Sequence, residues 1–331
     1  MTIDPLPLSI ALSNNERTRP VIEGRHQPQG VRLLPTVVHP SEMFWRQLKF
    51  TEFDISEMSL SSLFIAVSKG DQRFVGLPIY TARMFFHTRI IVRKDSGIKK
   101  PSDLIGKKIG VPEYQQTSAI WSRGVLQHEF GVHARDIDWY MERVPDISHG
   151  GSTGFKPPPG VRINQIPLST NIGDMLVKGE LDGALLYLNE RNLVDRSSAD
   201  VSEVCEPLFP NAVAESTRFY QKTGLYPINH AMVIKREVHE KYPWVAVNVY
   251  HAFMAAKAEV EKTAQATLKD YAACGLVAAE PAKLFAADPK SYGLRYNRKV
   301  IETIAQYVHE QGLTDRQVGV EEIFAPATLN L

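Results

Sequence analysis

Arg83 and His87 are two side chains whose types and spacing suit the binding and protonation of a carboxylic acid. A guanidinium can donate two hydrogen bonds to one carboxylate, and an imidazole can deliver a proton near neutral pH. The segment over 87–93 is rich in β-branched residues and predicts a strand. If Arg83 and His87 belong to one strand, the step of four residues between them places both side chains on one face. Structural alternatives remain: Arg83 as half of a salt bridge, and His87 bonded to the backbone.

Two hydroxyl-rich segments lie where helices are predicted to begin, and both are candidates for binding an anion. Gln116, Thr117 and Ser118 follow a strand and a proline, and Ser59 and Ser61 follow another predicted strand. The free backbone N–H groups and the dipole of a helix N-terminus favour negative charge, and the hydroxyl groups add donors. Capping of the two helices is the alternative role of these residues.

Arg17 is a second candidate for anchoring a carboxylate, because it follows the first predicted strand, Leu8–Leu12. Open α/β sheets bind ligands at such strand ends. Strands that alternate with helices at the spacing seen here indicate a parallel α/β sheet. The further predicted strands are 31–38, 53–56 and 74–80, and the helices between them are 41–48 and 60–68.

The rest of the chain is less uniform. Helices over 117–130, 243–271 and 297–311 and a strand over 228–234 are predicted from hydrophobic periodicity and end residues. Glycines and prolines between 150 and 160 predict a segment without regular structure, either a surface loop or a lid over a cleft. The segment over 200–226 is predicted to be irregular.

Composition limits the classes of function. With 331 residues the chain is long enough for about two lobes, and its 38 basic and 37 acidic residues give a formal net charge of +1. This balance argues against a nucleic-acid partner. No segment approaches the ~20 apolar residues that cross a bilayer, and no secretion signal is recognisable. We therefore expect a soluble, cytoplasmic protein without a membrane partner.

Metal chemistry has little support in the sequence. Cys205 and Cys274 are too few for a disulfide framework or a thiolate cluster. The ten histidines include no pair spaced four residues apart, so no metal site is expected. The sequence also lacks a Walker-type loop, a dinucleotide fingerprint and a Gly-x-Ser-x-Gly elbow.

Two segments resemble those of type II periplasmic-binding-protein folds. These are Pro101–Val111, with its Asp-Leu-Ile-Gly-Lys-Lys-Ile-Gly-Val run, and Leu176–Ala184, with its Gly-Glu-Leu-Asp-Gly-Ala turn. The resemblance implies an α/β fold of two lobes, each a mixed sheet flanked by helices, with the ligand cleft between the lobes. One lobe would combine 1–90 with 228–331, and the other would span 91–227 and carry a mobile loop near 149–161.

Three further segments are more specific. Arg83–His87, Gly110–Gly124 and Ser291–Arg298 resemble the 4,5-dihydroxyphthalate decarboxylase family, and the likeness extends over nearly the whole chain. The family implies non-oxidative removal of carboxylate from a hydroxylated aromatic acid, most simply 4,5-dihydroxyphthalate, to give protocatechuate. Because a hydroxyl group para to each carboxylate supplies the electrons, this reaction needs no metal or organic cofactor. Phe86 stands where the family pattern has a second basic residue, so a related monocarboxylate substrate stays open, as does homo-oligomerisation.

His230 enters through the same resemblance, because the fold places it on the return crossing between the lobes. Both crossings would line the cleft, so His230 competes with His87 for the role of proton donor. Two other functions remain as alternatives to a decarboxylase. They are a solute-binding protein that delivers a small carboxylate to an ABC-type transporter, and, less favoured, a cytoplasmic ligand sensor.

Overall fold

The computed structural model describes residues 4–277, 288 and 290–331. The described residues form eleven strands, which build two sheets. The strands are β1 (Leu6–Leu12), β2 (Val31–Val37), β3 (Ile55–Ser59), β4 (Phe74–Arg83), β5 (Ile91–Arg93), β6 (Lys108–Val111), β7 (Asp138–Met141), β8 (Arg162–Gln165), β9 (Gly183–Ala184), β10 (Cys205–Pro207) and β11 (Ile228–Lys235).

Helices connect the strands and cover the sheets. In the described part of the chain they are α1 (Arg19–Ile22), α2 (Pro40–Phe50), α3 (Leu60–Ser68), α4 (Thr117–Phe130), α5 (His149–Thr153), α6 (Ile172–Lys178), α7 (Ala212–Thr223), α8 (Arg236–Lys241), α9 (Trp244–Ala273) and α10 (Arg298–Glu310). Their ends follow local chemistry: the His39 side chain accepts from Ser41 N before α2, and Gly131 ends α4 at a φ of 69°.

The first sheet has the order β2-β1-β3-β11-β4. The predicted parallel pairing is confirmed for β1 with β2 and with β3, whereas β11 runs antiparallel between β3 and β4. The second sheet, β10-β5-β9-β6-β7-β8, is likewise mixed. Both sheets are flanked by helices, so the α/β fold class is confirmed, while the division into lobes at 90/91 and 227/228 stays a prediction.

The strand predicted over 87–93 is wrong in its first half. β4 ends at Arg83, and Phe86–Arg89 form a 3-10 helix before β5 begins at Ile91. The backbone and the hydroxyl of Thr88 both bond to Phe85 O, and this local turn replaces strand pairing. Arg83 and His87 therefore do not share one strand face.

The segments predicted to lack regular structure contain two helices. His149 and the first four residues of the segment 150–160 form α5, where the Ser148 side chain accepts from Gly151 N at 2.9 Å. Within 200–226, α7 begins after Asn211, whose side chain accepts from Ala214 N, and stops at Gly224. Both capping residues are recognisable in the sequence. The glycines of α5 and the mixed composition around α7 nevertheless argue against helices.

Candidate functional site

A cavity of about 160 Å³ lies between the ends of the two sheets. The start of α2, the end of β3 and the start of β11 line it on the side of the first sheet. The start of α4, α5 and the segment after β9 line it on the other side. The structure brings five residues predicted from the sequence to this cavity: Ser59, Gln116, Thr117, Ser118 and His230.

His230 forms a buried pair with Glu57 at one wall of the cavity. The Nδ1 atom of His230 lies 3.0 Å from Glu57 Oε2, and its Nε2 atom lies 2.8 Å from the Asn229 side-chain amide. The edge of the Phe44 ring packs against the imidazole at a centroid distance of 4.7 Å. A carboxylate at Nδ1 fixes the proton there, so Nε2, beside the Asn229 amide, is the nitrogen that can exchange a proton with a ligand.

Glu57 is a carboxylate held in its charged form by the fold. It is fully buried and accepts hydrogen bonds from Ser13 N and Oγ, Thr81 Oγ1 and His230. Burial alone would raise its pKa, but the bonds from His230, Ser13 and Thr81 outweigh burial and lower the pKa. Glu57 therefore supplies a fixed negative charge that stabilises a protonated His230.

The start of α4 offers neutral donors opposite His230. Thr117 Oγ1 lies 2.9 Å from Ser59 Oγ and from Ser61 Oγ and accepts from Ser61 N, so these hydroxyl groups join α4 to β3 and α3. The Ser61 hydroxyl donates to Gln115 O, so it is not free to donate to a ligand. Gln116 Nε2 is buried without a partner among the described residues, and it faces the cavity with Ser118.

A buried ionic network supports the opposite wall. Arg143 donates to both oxygens of Asp195, to Glu113 Oε2 at 3.0 Å and to Ser41 Oγ at 2.6 Å. Burial would raise the pKa of Asp195, but the Arg143 charge outweighs burial and lowers the pKa to about 2. Two carboxylates surround this guanidinium, so we assign Arg143 to shaping the wall and not to binding an anion.

Glu113 also fixes α5 over the cavity. Its Oε1 accepts from Gly150 N at 2.5 Å and its Oε2 accepts from His149 N at 3.3 Å, which caps the first turn of this helix. His149 donates through Nε2 to Ser41 O, 3.3 Å away, across to α2. Burial lowers the pKa of His149 and so favours the neutral ring.

His39 is a further histidine at the cavity that the sequence analysis did not select. Its Nδ1 accepts from Ser41 N at 3.3 Å and from Asn192 Nδ2 at 3.1 Å. Burial lowers the pKa of His39 against the influence of Asp195. The neutral ring therefore carries its proton on Nε2 and can act as a donor.

The remaining predicted residues lie outside this cavity. His87 is 1% exposed and bonds through Nε2 to Glu215 Oε1 at 3.1 Å, next to Phe209 and Phe219. Burial lowers its pKa to about 4. Arg83 donates to Ser291 O and to Asn297 Oδ1, and Arg17 donates to Thr81 O. The structure thus separates His87 from His230.

Besides His39, the sequence analysis did not point to Glu57, Arg143 or Asp195 at the site. Glu57 had a recognisable signal, because an acidic residue inside an otherwise buried strand, Ile55–Ser59, needs a partner. Arg143 and Asp195 are separated by some fifty positions and meet only through folding. In the described residues we find no group of three histidine, cysteine or acidic side chains arranged for a metal, and no helix long and apolar enough to cross a membrane.

Two curated proteins that are similar to this chain carry the same name. A 4,5-dihydroxyphthalate decarboxylase from Comamonas testosteroni is 32% identical over 331 residues, which covers 98% of this chain and 98% of that protein. A 4,5-dihydroxyphthalate decarboxylase from Pseudomonas putida is 35% identical over 183 residues, or 55% of this chain and 71% of that protein. Residues 72–141 also match the family model described as NMT1/THI5 like.

Solved structures share the fold at low sequence identity. The periplasmic aliphatic sulphonate binding protein SsuA from Escherichia coli superposes with a TM-score of 0.56 at 14% identity, covering 98% of this chain and 99% of that chain. The desulfurization enzyme DSZB gives a TM-score of 0.51 at 13% identity, covering 98% of this chain and 97% of that chain. The periplasmic-binding-protein fold is confirmed, and it is shared by a binding protein and an enzyme.

Proposed function

This chain belongs to the 4,5-dihydroxyphthalate decarboxylase family, and we propose that it removes one carboxylate from 4,5-dihydroxyphthalate without oxidation, giving carbon dioxide and protocatechuate. The observation that carries the proposal is the buried His230–Glu57 pair at a cavity that also holds the neutral donors of α4. Both cysteines are free thiols, which suits the cytoplasm as the compartment.

The substrate provides the electrons for its own reaction. In 4,5-dihydroxyphthalate each carbon that bears a carboxylate has a hydroxyl group para to it, and that oxygen donates electron density to the ring. A proton can therefore add to the carboxylate-bearing carbon, because the para oxygen stabilises the resulting cation. The protein has to orient the ring, deliver this proton and leave the departing carboxylate weakly stabilised.

His230 is the proton donor in this proposal. The Nε2–H bond of the imidazolium breaks as a C–H bond forms at the ring carbon. The electrons of the bond to the carboxylate then return to the ring as carbon dioxide leaves. His230 is left neutral and takes its next proton from water. The Asn229 amide beside Nε2 can present its oxygen to the protonated ring or its nitrogen to the neutral ring.

Glu57 acts on the reaction through His230. Its buried carboxylate accepts a hydrogen bond from Nδ1–H, which holds the imidazole in one orientation, and its charge stabilises the imidazolium before transfer. Glu57 does not line the cavity itself and reaches it only through His230, so it is a positioning residue.

The start of α4 holds the departing carboxylate. Free N–H groups at this helix end, the Ser118 hydroxyl and Gln116 Nε2 provide hydrogen bonds without a full positive charge. Such donors orient the group yet stabilise it less than a cation would, which favours its loss as neutral carbon dioxide.

Anaerobic incubation of chelator-treated protein with 4,5-dihydroxyphthalate tests the proposal. We expect carbon dioxide and protocatechuate in equal amounts over many turnovers. A thermal shift without any turnover would contradict the decarboxylase and favour a binding protein. Turnover that requires added metal would contradict the role given to the side chains alone.

A further inference from the structure

Three cations that the proposed chemistry has not used lie near the Glu57–His230 pair: Arg17, Arg83 and Lys290. We call them the cation cluster. Arg17 donates to the backbone of Thr81, which bonds to Glu57, and Arg83 donates to Ser291 O, in the residue after Lys290. Among the described residues no carboxylate forms an ion pair with any of the three, whereas the buried Arg143 has two such partners. Charge that is partly buried and unpaired is unfavourable, so this arrangement calls for a negative partner.

Several polar atoms of the cluster and its surroundings are buried without a hydrogen-bond partner in the described structure. They are Nε and Nη1 of Arg17, Nε of Arg83, and the hydroxyl groups of Tyr80 and Tyr292. Arg17 uses only Nη2, toward Thr81 O, and Arg83 uses only Nη2, toward Ser291 O and Asn297 Oδ1. Buried donors that lack a hydrogen-bond partner and lie close together are typical of a ligand-binding site.

The three charges are close enough to influence one another. Burial lowers the pKa of Arg83 to about 10, and the Arg17 charge adds to this effect. Burial also lowers the pKa of Lys290, and both arginines add to this effect, whereas Glu16 and Glu261 oppose it without forming an ion pair with Lys290 in the described structure. Arg17, Lys290 and the neighbouring Tyr226 are only half-buried, so an anion can approach from solvent.

The cluster adjoins the candidate catalytic pair through Thr81. The backbone oxygen of Thr81 accepts from Arg17, and its hydroxyl donates to Glu57 Oε2, the same oxygen that bonds to His230. Arg83 is paired on the sheet with Ile228, two positions before His230. The cation cluster therefore adjoins the Glu57–His230 pair.

We propose that the cation cluster binds the carboxylate that stays on the ring, and that it selects aromatic dicarboxylates over monocarboxylates. The inference rests on the proposed function. A full positive charge stabilises a carboxylate and opposes its loss, so the cluster suits the retained group, whereas the neutral donors of α4 suit the departing one.

Calorimetric titration with phthalate and with benzoate tests the proposal independently of turnover, because neither probe has the hydroxyl group that decarboxylation needs. We expect the wild type to bind phthalate more tightly than benzoate. Arg17→Gln should weaken phthalate binding on the order of tenfold to a hundredfold, and Arg17→Lys should restore part of it. Arg19→Gln is the matched control, since Arg19 is an exposed cation two residues away.

A structural role for Arg17 predicts different results. If Arg17 only supports the fold, Arg17→Gln should lower the melting temperature of the free protein. An unpaired charge predicts no decrease, together with a smaller phthalate-induced shift. Lys290→Gln, at a half-buried position, repeats the test at a second cation and should also weaken phthalate binding.

The two proposals fail in distinguishable ways. Phthalate binding that depends on Arg17 in a protein without decarboxylase activity would support the cluster and overturn the proposed function. Turnover of 4,5-dihydroxyphthalate with phthalate affinity of Arg17→Gln within twofold of the wild type would overturn the cluster. Equal wild-type affinity for phthalate and benzoate would also overturn it.

Discussion

At the scale of single residues, the structure separates two histidines that the sequence could not rank. His230 reaches the cavity with a carboxylate behind it, whereas His87 lies among Phe209, Phe219 and Glu215. The sequence alone identifies both histidines and predicts that each lies on a crossing between the two lobes. The partner of each ring could not be predicted, because Glu57 and Glu215 come from distant parts of the chain.

His230→Gln should reduce decarboxylation by at least about a hundredfold, because it removes the proton donor, and leave binding of 4,5-dihydroxyphthalate measurable. His87→Gln is the matched control, since glutamine can keep a hydrogen bond to Glu215. Rates for both variants, with circular dichroism to check folding, decide between the two histidines. Wild-type rates in His230→Gln would reject the assignment.

Glu57→Gln should lower kcat at least about tenfold and leave KM nearly unchanged. The change removes the carboxylate behind the proton donor but no contact with the substrate, so the loss should fall on the chemical step. Asp54→Asn provides a comparison, because Asp54 lies at the same strand but bonds to Ser9 and Lys235, away from the cavity. A rise in KM as large as the fall in kcat, together with a lower melting temperature, would indicate a structural role for Glu57.

At the scale of elements, α4 and α5 bring the cavity together. The sequence predicted α4 with its observed bounds, Thr117–Phe130, because its start follows a strand and Gly131 ends it. It missed α5, since glycines at 150 and 151 argue against a helix. The missing information was tertiary: Glu113 caps α5 from another segment, and Lys69 donates to the carbonyl groups at its end.

Ser118→Asp tests the anion-binding role of α4. A carboxylate in the first turn of a helix favours the dipole, so the free protein should keep its melting temperature. The same charge repels a carboxylate ligand, and 4,5-dihydroxyphthalate should bind at least about tenfold more weakly. Ser118→Asn is the neutral control, and equal affinities of the two variants would contradict the assignment.

Gly151→Ala tests whether α5 needs its close packing. A Cβ atom at this position would lie 1.7 Å from Pro145 O, which the backbone cannot accommodate without moving. We expect the free energy of unfolding to fall by about 1–3 kcal/mol, with loss of turnover. Gly160→Asn is the control, because its left-handed backbone has open space around it and asparagine tolerates that conformation. Unchanged denaturation midpoints for Gly151→Ala would show that α5 is not tightly held.

At the scale of the molecule, the fold class followed from the alternation of strands and helices together with two family-like segments. The antiparallel strand β11 and the order of the second sheet could not be predicted, since they depend on which edges meet after the chain returns. The site lies where the ends of both sheets face each other. Local patterns could place residues at helix starts, but not the pairs that cross between sheets, such as Ser59 with Thr117.

Stability should fall in acid partly through His87. Burial lowers the folded-state pKa of His87 to about 4 from an ordinary value of 6.5, so the unfolded state binds the proton first. The resulting destabilisation begins as pH falls below 6.5 and grows until about 4. Melting temperatures across this range should fall less steeply for His87→Gln than for the wild type. Parallel curves would show that His87 is not buried as a neutral ring.

The measurement that tests the central claim most directly is turnover of 4,5-dihydroxyphthalate in D₂O by the wild type and by His230→Gln. Proton NMR of the product reports where deuterium enters. We expect the wild type to release protocatechuate with one deuterium at the ring carbon that lost its carboxylate, and His230→Gln to release almost none. Protocatechuate formed at the wild-type rate by His230→Gln, or no protocatechuate from the wild type, would contradict the account.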